Sequence, residues 1–558
     1  MPNLIKYSTS AVTYTIKKGN IVLGVNNVDY GPTSTSGFYN GITPPISGYT
    51  FYINKPSGGP SIYVSTGDTQ TIQLIQSLGG TGSTIENTLS WVASQSDIVV
   101  SNMDYENIVT SGMVLNLDAG FTGSYPKGNQ QWYDISGSGN TGTLTNGPTF
   151  NSLSGGSIVF DGTNDSVVIP YSTSLQPTTA ITMEAWVYLN SAPSSWYSVI
   201  QSPQQNGTHT PNYFDWAIYI KNDLGLHTRI DGVDAPIVQG STTTKMMIQK
   251  WNQVAISWQN GVVYFFLNGQ LIQTSYGAPS SITYDNNTNK LIGTNASGSE
   301  AFNGRISNVK LYGINLSPFE VYQNYNAQKS RFGIPDIVTS GLILNLDAGN
   351  PNSYNPLNTG STTWTDVSGY NNNGTLINGT YYSGGTMVFD GVDDYCVVNS
   401  NSNTSLSGNF SITQWYRAST NGGGYRILFE TNGYRNGTLG FAIYQFSSYF
   451  RIFRIIGSTY TELITTSVNT VGLNTWKTFT LVRNSGVFTF YIDTISSGTY
   501  TTDTNNYSDT SYHIGGDGPP TSSYWFQGNI ATTQIYNRAL TQSEVTQNYN
   551  ALKDRYGL

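Results

Sequence analysis

A long internal duplication constrains this chain more than any other feature. Residues 108–120 read IVTSGMVLNLDAG, and residues 337–349 read IVTSGLILNLDAG. The two segments begin 229 residues apart (337 − 108 = 229). Solenoid repeats are only about 20–50 residues long, so an offset of this size indicates a duplicated domain.

The two copies continue to match along their length. WYDISGSGNTGTLTNG, from Trp132, matches WTDVSGYNNNGTLING, from Trp364. IVFDGTNDSVVI at 158–169 matches MVFDGVDDYCVV at 387–398. Tryptophans recur in apolar strand contexts as the pairs Trp186/Trp415 and Trp251/Trp476. We predict that these tryptophans pack in the core rather than stack on a ligand.

Each copy closes with the sequence signature of a short helix. In a capping box, a Ser or Thr hydroxyl accepts from the amide three residues on, and a Glu at that position accepts from the cap amide. The boxes pair Ser317 with Glu320 and Thr541 with Glu544. Glycines at 333 and 557 follow where a helix C-terminus favours them.

Short alternating runs separated by Gly, Asn and Asp fill the rest of both copies, for example at 262–267, 307–312 and 479–483. This pattern predicts antiparallel strands. The predicted fold class is therefore mainly β, with two antiparallel jelly-roll β-sandwiches, each closed by a short helix, plus a small N-terminal α+β domain.

The first hundred residues contain no copy of the repeat. They predict strands at 13–16, 21–25, 49–53 and 61–64, and helices after Asp68 and Ser83. The predicted domains are an N-terminal α+β anchoring domain at 1–107 and sandwiches at 108–333 and 337–558. The linker at 334–336 is short, so we expect a restricted angle between the sandwiches.

Charge and cysteine content exclude several classes. The net charge is −8 and the pI about 4.9, so no basic surface is expected for nucleic acid or for an anionic membrane. The single cysteine, Cys396, lies in a strand-like run and is predicted to be buried. The N-terminus lacks a secretory apolar run, so we expect synthesis in the cytoplasm without export by that route.

The motif order L-x-L-D-A-G, W-x-D-x-S-G, F-D-G-x-x-D and Y-N-R-A-L-x-x-x-E-V-x-x-N-Y-N resembles the concanavalin A-like lectin/glucanase superfamily, in its laminin G-like branch. The resemblance covers about 108–333 and 337–557. The whole arrangement also resembles structural proteins of large tailed bacteriophages.

The resemblance implies a non-enzymatic virion surface protein, a capsid decoration or a tail or fibre component. Its N-terminal domain would contact other virion proteins, and its sandwiches would bind host or environmental glycans. We expect a homo-oligomer, with no nucleic-acid partner and no membrane insertion. The alternatives are a polysaccharide-degrading enzyme or its binding subunit, and a cell-surface adhesin.

A catalytic function is not expected. Retaining enzymes that this chain resembles carry E-x-D-x-x-E on one strand, which places two carboxylates on one face. No such pattern occurs, and Glu184, which lies near that place, corresponds to Thr413 in the second copy. The histidines His209, His227 and His513 have no repeated partners and are predicted to have surface or packing roles.

No cofactor is required by any motif, but the resemblance makes a structural calcium ion plausible. Its candidate ligands lie in acidic turns shared by the two copies: Asp134, Asp161, Asp165, Asp366, Asp390 and Asp394. Calcium takes six to eight oxygens, so carbonyls from elsewhere would have to complete the shell. The alternative interpretation, which we favour, is that these residues are turn formers that accept bonds from their own backbone.

Glycan binding would use aromatic residues beside Asn, Asp and Gly in the regions where the two copies diverge. The candidates are Trp196, Tyr197, Tyr213 and Trp216 in the first copy, and Tyr425, Tyr434 and Tyr449 in the second.

Overall fold

A computed structural model describes residues 108–203, 214–232, 245–284, 287–399, 405–420, 423–431, 439–457, 459–507, 511–517 and 524–558. It also describes the backbone of the strands before residue 104 and at 233–234. The chain divides into two compact units, Met1–Val109 and Thr110–Leu558.

The N-terminal unit contributes five described strands: β1 (Thr13–Lys18), β2 (Ile21–Val25), β3 (Thr50–Ile53), β4 (Ile62–Ser65) and β5 (Ile98–Met103). β1 pairs antiparallel with β2 and β5, and β3 pairs with β4. The four strands predicted here are confirmed, with small shifts at their ends. The helices predicted after Asp68 and Ser83 lie outside the described residues, and the domain boundaries stay predictions.

The first sandwich is formed by two eight-stranded antiparallel sheets. Sheet A1 contains β6 (Met113–Asp118), β9 (Thr149–Asn151), β10 (Ser157–Asp161), β12 (Ala180–Leu189), β17 (Trp251–Gln259), β18 (Val262–Leu267), β19 (Gln270–Tyr276) and β21 (Asn303–Tyr312). Sheet B1 contains β7 (Gln131–Trp132), β8 (Gly142–Thr145), β11 (Ser166–Ile169), β13 (Trp196–Pro203), β14 (Phe214–Lys221), β15 (Leu226–Ile230), β16 (Val233–Asp234) and β20 (Lys290–Ile292).

The second sandwich repeats this arrangement, again with eight strands in each sheet. Sheet A2 contains β22 (Leu342–Asp347), β25 (Tyr381–Ser383), β26 (Thr386–Asp390), β28 (Phe410–Ala418), β33 (Lys477–Asn484), β34 (Val487–Ile492), β35 (Ile495–Tyr500) and β37 (Gln527–Tyr536). Sheet B2 contains β23 (Thr363–Trp364), β24 (Gly374–Ile377), β27 (Tyr395–Val398), β29 (Tyr425–Thr431), β30 (Gly440–Phe446), β31 (Tyr449–Ile456), β32 (Thr459–Thr465) and β36 (Tyr512–Ile514). The predicted mainly-β fold class is confirmed.

Two helices close the sandwiches, α1 (Pro318–Gln328) and α2 (Gln542–Leu552). Both predicted capping boxes are present: the Ser317 amide donates to Glu320 Oε2 at 2.8 Å, and the Thr541 amide donates to Glu544 Oε2 at 2.8 Å. Each helix continues into a short 3₁₀ turn, Lys329–Phe332 or Lys553–Tyr556. Each turn ends at a left-handed glycine, with φ of 80° at 333 and 74° at 557.

Each helix packs on the outer face of its A sheet through a tryptophan. The Trp186 ring stacks on Phe332, with centroids 4.0 Å apart. Trp415 stands in the same position against Tyr556, at 4.6 Å. Trp186 and Trp415 are fully buried and Trp251 is buried, which confirms their core role, whereas Trp476 is only partly buried. Cys396 is buried as predicted, and burial raises the pKa of its thiol.

The two sandwiches contact each other directly. Arg555 donates to both carboxylate oxygens of Asp347 at 2.8 Å and to the hydroxyl of Tyr322, on the first sandwich, at 3.3 Å. Lys250 forms an ion pair with Asp554 at 3.0 Å. No helix in the described part of the chain is long and apolar enough to cross a membrane.

Candidate functional site

The outer face of each B sheet presents aromatic side chains beside a cation. Adjacent residues of a strand point to opposite faces of a sheet, so every second residue of β13, β14, β29 and β30 faces away from the core. Trp196 is the first residue of β13, and Tyr425 is the first residue of β29. Their partners on the next strand are Lys221 and Phe446.

In the first sandwich the half-buried Trp196 is the centre of this face. Its ring meets the edges of Tyr219 and His227, with centroids 6.1 and 4.9 Å away. Lys221 Nζ lies 5.4 Å from the Trp196 ring centroid. A cation at this distance from an indole is attracted by the ring's quadrupole.

In the second sandwich Tyr425 is surrounded in a similar way. Its ring lies 5.1 Å from Tyr444 and 4.6 Å from Phe446. Arg451 lies 5.4 Å from the Tyr425 ring and also forms an ion pair with Glu462. We call the surface formed by Trp196, Tyr219, His227 and Lys221, and that formed by Tyr425, Tyr444, Phe446 and Arg451, the aromatic faces of the two sandwiches.

Two of the residues predicted to bind glycans lie in the core of the first sandwich, so this part of the prediction is wrong. Trp216 is fully buried among core residues between the sheets, so its ring faces are not available to a sugar. Tyr197 belongs to the same core cluster and packs against Phe302 at 5.6 Å. Alternation explains both corrections, because Tyr197 follows the outward-facing Trp196 and Trp216 precedes outward-facing Ala217.

The remaining candidates have different outcomes. Tyr449 is partly exposed and packs against Phe446 at 5.5 Å, so it extends the aromatic face of the second sandwich. Tyr213 and Tyr434 lie outside the described residues. Sequence reasoning missed Tyr219 and Tyr444, which both end the same Ala-Ile-Tyr run, at 217–219 and 442–444. Both are buried, so they support the rings of Trp196 and Tyr425 from the side and do not themselves offer a ring to a sugar.

Two of the six candidate calcium ligands do not suit a metal. The carboxylate of Asp134 accepts four hydrogen bonds at 2.9 Å, and that of Asp366 accepts four at 2.8–2.9 Å. The donors are three backbone amides and a serine hydroxyl in both copies: Asn116, Ser136 and Asn140 in the first, and Asn345, Ser368 and Asn372 in the second. A cation would have to displace these donors, so Asp134 and Asp366 are turn formers.

The acidic turn of the second sandwich suits a cation better. One carboxylate oxygen from each of Asp390, Asp393 and Asp394 lies within 4.8 Å of the others. Burial, with the charges of Asp390 and Asp393, raises the pKa of Asp394 to about 6. Asp394 Oδ2 accepts from the Asp390 amide at 2.9 Å, whereas its buried Oδ1 has no hydrogen-bond partner within the described part of the chain. This donor set fits calcium, with carbonyls completing the shell.

The corresponding turn of the first sandwich holds fewer charges. Asp165 accepts from the Asp161 amide at 2.9 Å, as its counterpart does, and burial raises the pKa of Asp165. Asn164 stands where the second sandwich has Asp393. Asp161 and Asp165 therefore offer a weaker cation site than Asp390 and Asp394 do.

The two described histidines both lie on outer faces of B sheets. His227 is buried against Trp196, and His513 Nδ1 lies 2.9 Å from Glu430 Oε1. His209 lies outside the described residues.

Glu184, the carboxylate weighed as a catalytic acid, has an internal partner. Lys310 Nζ lies 3.0 Å from Glu184 Oε1, and neither side chain is exposed. Asn324 donates to the other carboxylate oxygen at 2.9 Å. The sequence held a signal for this pair, because Glu184 and Lys310 correspond to Thr413 and Gln534 in the second copy, so both charges change together.

Comparison with known proteins agrees with the fold. The family model Laminin_G_3, described as the concanavalin A-like lectin/glucanases superfamily, matches residues 161–322 and 390–546. No curated protein sequence matches the chain.

Similar solved structures have low identity. Domain 4 of AbnA, a GH43 extracellular arabinanase from Geobacillus stearothermophilus in complex with arabinotriose, is 16% identical, with a TM-score of 0.29, over 38% of this chain and 98% of that one. Domains LG4-5 of the mouse laminin alpha1 chain are 12% identical, with a TM-score of 0.23, over 68% and 91%. The binding domain of Paraclostridial Mosquitocidal Protein 1 is 11% identical, with a TM-score of 0.32, over 74% and 99%. Nothing about ligand or activity follows from these values.

Proposed function

Because the chain belongs to the concanavalin A-like lectin/glucanases superfamily, we propose that it binds glycans, without cleaving them, through the aromatic faces of its two sandwiches. The observation that carries this proposal is the matched placement of Trp196 and Tyr425, each half-buried and each with a cation 5.4 Å from its ring centroid. Each ring also contacts a matched tyrosine of the next strand, Tyr219 or Tyr444, and this correspondence supports one shared binding mode.

The chemistry of the face suits a sugar. A pyranose presents apolar C–H groups on one side, which pack against an aromatic ring, while its hydroxyls bond to polar groups at the rim. Tyr and Trp supply both an apolar body and a polar edge. The cations beside the rings, Lys221 and Arg451, can donate to hydroxyl or carboxylate oxygens of the glycan. Two weak sites in one chain gain affinity when a polymeric glycan engages both.

Binding without turnover is supported by the environment of Glu184. A glycosidase acid must reach the glycosidic oxygen of the substrate. Glu184 lies beneath α1 with no exposure, and both of its carboxylate oxygens are engaged by Lys310 and Asn324. The alternative function is that of a polysaccharide-degrading enzyme, and an experiment that measures both binding and cleavage distinguishes the two.

The test presents the full-length chain to an array of bacterial-envelope, algal and animal glycans, and measures release of reducing ends from every ligand that it binds. We expect saturable binding to at least one glycan class and no release above a buffer control. Release of reducing ends would replace the proposal with an enzymatic function. The absence of binding to every glycan class would reject it.

We further propose that the chain is a virion surface protein, with its N-terminal unit contacting other virion proteins. The support is the resemblance of the whole arrangement to tailed-phage structural proteins. Imaging of particles labelled with an antibody against the second sandwich tests this directly. Label on a capsid face or a fibre is expected, and label confined to a bacterial cell surface would instead favour an adhesin.

Calcium is proposed as a ligand of the second sandwich alone, held by Asp390, Asp393 and Asp394. Bound there, it would neutralise three carboxylates and fix the turn between β26 and β27. It would take no part in any reaction.

A further inference from the structure

A buried lysine in the first sandwich is surrounded by a carboxylate and two carboxamides. Lys310 on β21 is the direct cross-strand partner of Glu184 on β12. Its Nζ donates to Glu184 Oε1 at 3.0 Å, to Asn308 Oδ1 at 3.0 Å and to Gln328 Oε1 at 2.8 Å. All four side chains are buried beneath α1. Water is therefore excluded from the place where an amine, an acid–base group and an amide meet.

We propose that Lys310 and Gln328 form an intramolecular isopeptide bond, with Glu184 as the proton carrier. A lysine amine is a nucleophile once it has lost its proton to an adjacent base. The base must lie within hydrogen-bond reach of the proton that it takes, about 2.6–3.2 Å. Glu184 meets this condition at 3.0 Å. Lys310 Nζ already contacts the Gln328 carboxamide through its oxygen, at 2.8 Å, so a small rotation of either side chain would bring the amine onto the carboxamide carbon.

The reaction balances without any other reagent. A proton passes from the Lys310 ammonium to the Glu184 carboxylate, and the free amine attacks Cδ of Gln328, so the Nζ–Cδ bond forms. Glu184 gives its proton to the departing amide nitrogen and takes one from Nζ. The Cδ–Nε2 bond breaks, and ammonia leaves. One amide replaces another, and nothing is oxidised or reduced.

The choice of Gln328 over Asn308 follows from the geometry. Both amides accept from Lys310 Nζ at ordinary hydrogen-bond distances, 3.0 Å for Asn308 and 2.8 Å for Gln328, so their places in the fold decide between them. Gln328 is the last residue of α1, whereas Asn308 lies on the same strand as Lys310. A bond to Gln328 would join the helix covalently to the central strand on which it packs, so it would stabilise the first sandwich against unfolding.

The second sandwich provides an internal control with the same fold. Thr413 and Gln534 pair at the positions of Glu184 and Lys310, and α2 ends at Leu552 where α1 ends at Gln328. The neighbouring contact is retained, since Asn324 donates to Tyr312 at 3.0 Å and Asn548 to Tyr536 at 2.9 Å. The acid, the amine and the amide are thus replaced together, while the surrounding packing is kept.

Tryptic mapping of the purified full-length chain tests the proposal, because trypsin cannot cleave after an acylated lysine. We expect residues 306–329 to appear as one peptide, uncut after Lys310 and lighter than its sequence by one ammonia. The segment contains no Asn-Gly pair, the dipeptide most prone to lose ammonia by succinimide formation. Ammonia loss by succinimide formation is therefore expected in other peptides of the chain.

Two variants complete the experiment. Glu184→Gln should restore cleavage after Lys310, and Gln328→Leu, which copies Leu552 of the second sandwich, should do so while keeping the Lys310–Glu184 pair. Normal cleavage after Lys310 in the wild-type chain would show that these residues form an ion pair only. An uncut, lighter peptide in Gln328→Leu would show that the acceptor is another amide. Either result would overturn the proposal.

Discussion

Trp196 and Tyr425 occupy the same position in the two sandwiches, as the first residues of β13 and β29. They are separated by 229 residues (425 − 196 = 229), which is the offset of the N-terminal landmarks of the repeat. Each ring faces outward from a B sheet, and each meets a tyrosine of the next strand, Tyr219 or Tyr444. An outward aromatic ring kept through duplication together with its tyrosine neighbour is the strongest pointer to a shared site.

Removal of these rings should weaken glycan binding. An aromatic contact contributes about 0.5–1.5 kcal/mol beyond its buried area. We therefore expect Trp196→Ala and Tyr425→Ala each to reduce affinity by roughly 2- to 10-fold. The double variant should lose more than either single one, since it removes both sites of an avid pair. Titration calorimetry with the best glycan from the array would measure this.

Tyr276→Ala is the matched control, because Tyr276 is an exposed aromatic residue of an A sheet, at 70% exposure. It should leave affinity unchanged. If Tyr276→Ala lost as much affinity as Trp196→Ala and Tyr425→Ala, and all variants melted as the wild type does, the aromatic faces would not be the binding sites.

The stability of the second sandwich should depend on pH through Asp394. The pKa of Asp394 is about 6 in the folded chain, above the value of about 3.9 expected when unfolded. The folded state thus binds more protons in this range, and stability falls as pH rises through about 6. When calcium is chelated, we expect the stability of the Asp394→Asn variant not to fall as the pH rises through this range.

Added calcium should raise the melting temperature of the wild type at neutral pH, because it binds the folded state alone. It should not raise that of Asp394→Asn. Asp165→Asn serves as control, since its turn lacks the third carboxylate, and it should respond to calcium as the wild type does. Equal calcium stabilisation of Asp394→Asn and the wild type would place the ion elsewhere.

The capping box of α2 should make the second sandwich acid-sensitive. Hydrogen bonds from Arg538 lower the pKa of Glu544 to about 2. A carboxylate with a lowered pKa stabilises the fold above its unfolded value, about 4.3, and this stability is lost as pH falls towards 2. Glu544→Gln should therefore cost about 1 kcal/mol at pH 7 and flatten that acid dependence.

Glu320→Gln is the corresponding change in α1, where Ile314 replaces Arg538. Its cost at pH 7 should be smaller, because only the cap is altered. Denaturant unfolding between pH 2 and 7 compares the two variants. A larger effect of Glu320→Gln would contradict the assignment of the lowered pKa to Arg538.

The buried ion pair of Asp347 and Arg555 should stabilise the second sandwich, and Arg555 also contacts the first sandwich through Tyr322. Both side chains are nearly fully buried, at 7% and 4% exposure. Asp347→Asn would leave the Arg555 charge uncompensated, at a cost of about 3–5 kcal/mol. Tyr322→Phe removes only the hydrogen bond across the junction and should cost about 1 kcal/mol. Equal stability of Asp347→Asn and the wild type, in denaturant unfolding, would contradict a structural role for this pair.

Much of the fold could be predicted because its signals are local or repeated. A capping box needs only Ser317 and Glu320 in the right order, and a core tryptophan such as Trp186 is marked by its counterpart in the second copy. The binding surface could not be predicted in this way. β14 reads FDWAIYIK, and alternation places Tyr219 on the polar face with Asp215 and Lys221, but it does not show which other strands bring their rings beside Tyr219.

The pairing register of the strands is the second reason why the binding surface could not be predicted from the sequence. Arg451 of β31 stands opposite Tyr444 of β30, and Tyr425 contacts both side chains although its own cross-strand partner is Phe446. Strand pairing brings these residues together over 26 positions of the chain, and no local pattern records it. The Asp turns were ambiguous for a related reason, because the same residue types serve as a saturated turn at Asp366 and as a carboxylate cluster at Asp394.

The most direct test of the account is a crystal structure of the chain with its best-binding oligosaccharide. We predict sugar rings stacked on Trp196 and on Tyr425, at matching places on the two B sheets, with the glycan intact. An oligosaccharide bound at another surface, with both of these rings free, would contradict it.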